Sequence, residues 1–111
     1  MPQLDASGMI AEWTAEYPIV GDIVFDGYTI SGTKTYAQTS YPDVPHIALN
    51  TRLMSHPVWG LACLWHEYAH AAAYYENARK GQQHNDKWRG WLWKKPILAI
   101  LDHICPALVL L

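Results

Sequence analysis

The feature that most constrains this chain is the segment His66 to His70, which reads His-Glu-Tyr-Ala-His and lies inside an apolar run from Val58 to Tyr75. A run of this length favours a buried helix over a strand. On a helix, residues four apart lie one turn and about 40° from each other, so both imidazoles can bind one metal ion. The intervening Glu67 lies beside such an ion and can take a proton from water. The segment therefore predicts a buried helix with a metal site of the hydrolytic kind.

Length and charge limit the classes of protein that the chain can belong to. Its 111 residues predict a single domain over 1–111, which can bury about 60–70% of its unfolded surface without a stabilising metal. A bound metal is therefore expected to be functional rather than structural. The formal charge of −2, with only eight Lys and Arg residues, gives no electrostatic support for binding nucleic acid.

The two ends of the chain and its cysteines carry no targeting or ligand signal. The first residues lack the basic and apolar regions of a signal peptide, so we expect a cytoplasmic protein. The apolar C-terminal stretch over 96–111 is too short and too interrupted by polar residues for a membrane span. Cys63 and Cys105 are far apart in the sequence and lack the paired spacing of zinc sites, so both are predicted to be buried thiols.

Turn and capping residues divide the chain into alternating predicted elements. These are a helix over 4–17, strand segments over 23–25 and 28–30 around a hairpin turn or bulge at Asp26-Gly27, a strand over 33–39, a strand over 46–50, the central helix from an N-cap at Ser55 to Arg79-Lys80-Gly81, a helix capped by Asp86, and a last helix over 97–104 after Pro96.

A catalytic zinc ion usually has three protein ligands, so the sequence must supply a third. Glu76 would lie about 15 Å along the helix from His66 and point about 120° away from His70, so it does not reach the ion. It is also the last Glu of the chain, which excludes a glutamate from a later helix. His84 is the preferred ligand, because a helix that ends by residue 80 leaves about 14 Å of chain for its return. Asp86, or no third protein ligand, are the alternatives.

These residues together resemble the SprT-like, or Spartan-type, zinc metallopeptidases. The likeness covers roughly residues 20–93 and rests on two histidines around a glutamate, His84, the aromatic Trp88 four residues later, and the strand and turn formed by 47–50 with Leu53. It implies an α+β fold: a small zincin-like domain with an N-terminal helix, a three-stranded sheet, a helix that carries the active-site motif, and further C-terminal helices. It also implies zinc ligands at His66, His70 and His84, with Glu67 as the catalytic base.

The chain departs from that family in two places. Asn85 follows the third histidine where the family commonly has Gly. A cysteine-based zinc ribbon and a basic tail are also absent from the sequence. The DNA association of some relatives is therefore not carried over to this chain.

The expected function is that of a zinc metalloendopeptidase acting on a protein or peptide substrate. We expect the substrate backbone to pair with the strand over 46–50. The alternative is a zinc-binding interaction or regulatory module that keeps the fold without proteolysis, which the small size favours. Glu67 favours the enzyme, because a structural site needs no carboxylate there. The sequence predicts no oligomeric state.

Other polar residues are weaker candidates. The hydrogen-bond donors that could stabilise a developing oxyanion are Tyr41, Tyr68, Tyr74, Tyr75 and Arg89, although a structural role is expected for each. A carboxylate behind a ligand imidazole commonly orients it, and Asp86 and Asp102 are both candidates for this role. The remaining histidines, His46, His56 and His103, are predicted not to be ligands.

Overall fold

The computed structural model describes residues 4–76 and 84–104. This part of the chain forms an α+β fold of four α-helices and a three-stranded mixed sheet. The elements in chain order are α1 (Ala6–Glu16), β1 (Val24–Ile30), β2 (Ala37–Ser40), β3 (His46–Asn50), a 3₁₀ turn (Thr51–Ser55), α2 (Pro57–Glu76), α3 (Asp86–Leu92) and α4 (Pro96–His103). The expected α+β class, with its N-terminal helix and three strands, is confirmed, and so are helices after the central one.

The sheet has the order β1-β3-β2, with β1 parallel and β2 antiparallel to β3. The Asp26-Gly27 pair forms an irregularity within β1 rather than a hairpin turn, since the register shifts between Phe25 and Gly27 and the φ angle of Gly27 is +95°.

Because the strand order is β1-β3-β2, both edges of β3 are occupied by neighbouring strands. The expectation that a substrate pairs with β3 is wrong, because no backbone edge of that strand is open.

The second strand is shorter than predicted. It begins at Ala37 instead of residue 33, because Asn50 holds the preceding segment as a loop. The Asn50 amide donates hydrogen bonds to the carbonyl oxygens of Gly32 at 3.1 Å and Thr35 at 2.8 Å. Its backbone N–H also donates to the carbonyl of Tyr36 at 2.8 Å. The hydrogen bonds of the buried Asn50 side chain thus keep residues 33–36 as a loop, although their alternating pattern predicts a strand.

The central helix begins two residues later than the predicted N-cap. Ser55 belongs to the 3₁₀ turn and donates to the carbonyl of Arg52, and Pro57 is the first residue of α2. Every residue from 62 to 73 is buried, because α2 packs against the other three helices and against β2 and β3. The predicted end of this helix at 79–81 lies outside the described residues.

An aromatic cluster anchors the side of α2 that faces away from the histidines. Trp65 and Tyr68 stack on each other at 5.3 Å, and Trp13 of α1 meets both edge-on. The Trp65 indole N–H donates to the carbonyl of Leu92 at 2.9 Å, and the Tyr68 hydroxyl donates to that of Tyr17 at 2.7 Å. Aromatic pairs of this kind add about 0.5–1.5 kcal/mol each beyond burial. They fix the rotation of α2 and so the direction in which its histidines point.

The helices after the central one begin as their capping residues dictate. Asn85, not Asp86 as predicted, is the N-cap of α3, and its side chain accepts from the backbone N–H of Trp88 at 3.1 Å. Pro96 opens α4, in agreement with the prediction. Cys63 is a buried free thiol, as expected, whereas Cys105 lies outside the described residues. Over residues 4–76 and 84–104, no helix combines the length and apolar character needed to cross a membrane.

Candidate metal centre

Three imidazoles converge at the middle of α2. His66 and His70 come from adjacent turns of that helix, and His84 comes from the segment just before α3. One ring nitrogen of each lies within 4.8 Å of the others, and the two Nε2 atoms of His66 and His84 are 3.3 Å apart. His66 and His70 are buried, whereas His84 is exposed. Three histidines in this arrangement can hold a metal ion.

The alternative third ligands lie elsewhere. Asp86 is fully exposed and its carboxylate accepts from the Arg89 guanidinium at 2.9 Å. Glu76 is the exposed last residue of α2. Among the described residues neither carboxylate belongs to the group of converging donors. The structure therefore brings His84, and not Glu76 or Asp86, to the pair on α2.

Trp88 forms one wall of the site and contacts all three imidazoles. Its ring centroid lies 4.9 Å from that of His66, 5.3 Å from that of His70 and 4.3 Å from that of His84. Its indole N–H also donates to the backbone carbonyl of His66 at 3.2 Å. The Asn85 cap fixes the first turn of α3, and thereby the position of this indole. Trp88 therefore restricts the rotation of the three rings and excludes water from one side of them.

Asp102 on α4 orients one of the histidines. Nδ1 of His66 donates to Oδ1 of Asp102 over 2.9 Å, and both side chains are more than nine-tenths buried. A proton on Nδ1 leaves the lone pair of the neutral ring on Nε2, which is the nitrogen that faces His84. Of the two carboxylates that the sequence offered for this role, the described structure places Asp102 on a histidine of the group.

The pKa values of two of the imidazoles are shifted in opposite directions. Burial by itself lowers the pKa of His66, but the hydrogen bond to Asp102 and the charges of Glu67 and Asp102 raise it overall. The pKa of His84 is lowered by burial and by the neighbouring His66. A metal ion needs neutral imidazoles, so the raised pKa of His66 makes protons compete with the metal as the pH falls.

Glu67 is buried between the histidines and the sheet, with only 4% of its surface exposed. Its Oε2 atom lies 3.7 Å from Nε2 of His66, and its Oε1 atom accepts from the Thr39 hydroxyl at 2.7 Å. Burial raises the pKa of the Glu67 carboxyl, and the His66 charge and the Thr39 hydrogen bond oppose that shift. A buried carboxylate beside three imidazoles has the surroundings of a general base.

Most of the proposed oxyanion donors are engaged in structural bonds. The Tyr68 hydroxyl donates to Tyr17, as described above, the Tyr75 hydroxyl donates to the carbonyl of Asp22 at 2.7 Å, and Arg89 pairs with Asp86. These three side chains serve the fold, as the sequence led us to expect.

Tyr41 behaves differently. Its hydroxyl is buried, yet it has no hydrogen-bond partner among the described residues. The ring stacks on Tyr74 at 4.4 Å, with the planes 21° apart. Burial raises the pKa of Tyr41, and the charge of Glu67 adds to that effect. A buried hydroxyl without a partner therefore lies within the electrostatic reach of Glu67.

The other described histidines lie apart from this group. His46 makes ion pairs with Asp26 at 3.0 Å and with Asp43 at 3.4 Å. His56 and His103 are exposed. The prediction that these three are not ligands agrees with their positions.

Sequence reasoning missed one polar contact of the site. Thr39 carried no motif, and the predicted strand ended at this residue, so nothing in the sequence pointed to its contact with Glu67. The one available signal was alternation, which places every second residue of a strand on the same face.

Comparisons with protein-family models, with curated proteins and with solved structures gave no match for this chain.

Proposed function

We propose that this protein is a zinc-dependent metallopeptidase with a zincin-like fold. The observation that carries the proposal is the convergence of three imidazoles beside a buried carboxylate that is not one of the converging donors. A structural zinc site normally closes with four protein ligands, whereas a catalytic site keeps three and leaves one position open. Three histidines, with Glu67 adjacent to them, fit the catalytic pattern.

Zinc is the metal that the donor set favours for hydrolysis. Three neutral imidazoles suit its tetrahedral preference, and it has no redox chemistry of its own. Nickel, cobalt, copper and iron also accept imidazole ligands, so metal analysis must identify the native ion. When bound, zinc supplies Lewis acidity for a carbonyl oxygen and lowers the pKa of water to about 7.

The residues of the chain perform the proton transfers. Oε2 of Glu67 lies 3.7 Å from Nε2 of His66 and accepts the proton of the attacking water. The same carboxyl then passes this proton to the nitrogen of the departing amine as the peptide C–N bond breaks. Its burial favours the protonated form between these two steps. Asp102 holds His66 in a fixed orientation throughout.

The open edge of β2 is the proposed binding site for the substrate backbone. Within the described residues β2 pairs with β3 alone, so its other edge carries unpaired N–H and C=O groups. An extended peptide adds to such an edge by main-chain hydrogen bonds. Thr39 of this strand contacts Glu67 directly, so a peptide on β2 lies next to the proposed base. This site replaces the one expected on β3.

One observation favours the non-proteolytic alternative. The outer face of α4 and its C-cap expose Ile97, Ile100 and Ile104, whose exposures are 74%, 49% and 57%. Apolar side chains at this spacing form a continuous stripe, which is typical of surfaces that bind a partner. A zinc-binding interaction module would use such a stripe without any need for a base. The deep burial of Glu67 argues against it, because an interaction module gains nothing from that cost.

The decisive experiment replaces Glu67 with Gln, which keeps the size of the side chain and removes the basic carboxylate. Zinc content should stay near one ion per chain, while cleavage of casein should slow by about 10²–10⁴-fold. Glu76→Gln is the matched control, since it makes the same change at the exposed end of the same helix. Equal rates for wild type and Glu67→Gln would identify a contaminating protease. A zinc-loaded wild type that cleaves no unfolded protein would favour the interaction module.

A further inference from the structure

The two oxygens of Glu67 have different surroundings. Oε1 lies 2.7 Å from Oγ1 of Thr39, whereas Oε2 lies 3.7 Å from Nε2 of His66. The Thr39 hydroxyl also lies 3.5 Å from the backbone carbonyl of Glu67, but it has a single proton, and the charged oxygen is both nearer and the stronger acceptor. The hydroxyl therefore donates to Oε1 of Glu67. This leaves Oε2 free to accept a proton.

The sheet makes this contact rigid. In β2 the residues alternate, so that Ala37 and Thr39 are half-buried towards α2 while Gln38 and Ser40 are exposed. Thr39 lies opposite Ile47 of the central strand, which is fully buried. A β-branched residue also has few χ1 rotamers. The position of the Thr39 hydroxyl is therefore fixed by the paired strand and by the restricted rotation of the side chain.

We propose that Thr39 is a positioning residue for the general base and couples it to the strand that holds an extended peptide substrate. A glutamate side chain has three rotatable bonds, and the hydrogen bond to Oε1 selects the rotamer in which Oε2 faces the metal centre. Because Thr39 belongs to β2, the backbone that pairs with the peptide also sets the distance between the peptide and the base. This inference rests on the proposed peptidase function.

The test compares Thr39→Val, which keeps the shape and loses the hydroxyl, with Thr39→Ser, which keeps the hydroxyl. Thr39→Val should lower kcat on casein by about tenfold to a hundredfold, which corresponds to the loss of one hydrogen bond to a charged group. KM and zinc content should stay within about twofold of wild type, because the hydroxyl donates to Glu67 and is not one of the converging donors. Thr39→Ser should recover most of the rate. Thr29→Val, the same change at an exposed position of β1, is the matched control and should leave kcat unchanged.

A double mutant separates positioning from a general structural effect. If Thr39 acts through Glu67, then Thr39→Val should cause no further loss of residual activity in a Glu67→Gln background. An undiminished effect in that background would overturn the proposal. Thermal unfolding of zinc-loaded Thr39→Val and Thr39→Ser should confirm that each variant is folded when it is assayed.

The outcomes distinguish this inference from the proposed function. An active wild type with a fully active Thr39→Val would overturn the role of Thr39 and leave the peptidase proposal intact. A zinc-loaded wild type without peptidase activity would overturn the peptidase proposal and the positioning role with it. In the zinc-free protein, unfolding measurements on Thr39→Val, Glu67→Ala and the double mutant should give a coupling energy that differs from zero, because each single change removes one partner of the hydrogen bond. A zero coupling would overturn the inference whatever the activity.

Discussion

The carboxylate of Asp102 accepts a hydrogen bond from Nδ1 of His66 over 2.9 Å, which links the last described helix to the middle of the central one. These residues are 36 positions apart in the sequence. The contact gives α4 a direct influence on a proposed metal ligand, because the carboxylate fixes both the tautomer and the orientation of the ring.

Asp102→Asn should weaken zinc binding by about 10–100-fold, the usual effect of removing a carboxylate behind a ligand histidine. Competition with a chelator of known affinity measures the change. Asp86→Asn is the control, since that carboxylate is exposed and pairs with Arg89 instead of a histidine. Equal zinc affinity in both variants would contradict the role given to Asp102.

His84→Ala should lose bound zinc, whereas Glu76→Ala should keep it. Removing one of three neutral donors weakens binding by orders of magnitude, and Glu76 lies at the exposed end of α2 outside the group of converging donors. Metal analysis of the two purified variants is the measurement. The opposite pattern would assign the third ligand to Glu76, and full zinc content in both would leave the site without a third protein ligand among these residues.

The site could be predicted from the sequence where its residues are close along the chain. His66, Glu67 and His70 follow from helix periodicity alone, and His84 follows from the reach of a short return segment. The contact of Thr39 could not be predicted, and the sequence could not choose between Asp86 and Asp102 as the carboxylate behind a ligand histidine. Both contacts depend on strand order and on the packing of α4 against α2. Periodicity specifies which face of an element is buried, but it does not specify the neighbour that covers it.

In the fold, too, local features could be predicted and contacts between distant segments could not. The existence of the strands followed from local composition, whereas the central place of β3 depends on pairing between distant segments. The shortened β2 is a further example. Its loss of residues 33–36 results from the Asn50 amide, which bonds to carbonyls 15 and 18 positions earlier. No local pattern encodes such a bond.

His46 should make the stability of the protein depend on pH. Its Nδ1 atom lies 3.0 Å from Asp26 and its Nε2 atom 3.4 Å from Asp43. The hydrogen bond to Asp26 raises the pKa of His46, with a smaller contribution from Asp43. A group with a raised folded-state pKa stabilises the fold fully below its unfolded value of about 6.5, and this contribution disappears as the pH rises through the folded value.

Urea unfolding of the zinc-free protein between pH 5.5 and 8.5 measures this effect. The difference in unfolding free energy between wild type and His46→Asn should shrink as the pH rises. His56→Asn is the control, because His56 is an exposed histidine outside this ion-pair cluster. A difference that stays constant over the whole range would show that the two aspartates do not stabilise the charged ring.

Tyr41→Phe should lower peptidase turnover without lowering the free energy of unfolding. The hydroxyl is buried without a partner in the described part of the chain, so its removal relieves a desolvation cost and should leave the free energy of unfolding unchanged or raise it by about 1 kcal/mol. In the proposed enzyme this hydroxyl is a candidate donor to the oxyanion, since it has no partner in the described part of the chain and its pKa is raised by burial and by the charge of Glu67. Peptidase turnover should therefore fall by about tenfold or more, as for other donors to a developing oxyanion.

Tyr75→Phe is the control and should give the opposite pattern. It loses the hydrogen bond to the carbonyl of Asp22, so it should lower the free energy of unfolding and leave turnover unchanged. A Tyr41→Phe protein that is less stable and fully active would assign that hydroxyl to the fold, in contact with ordered water, and remove it from the site.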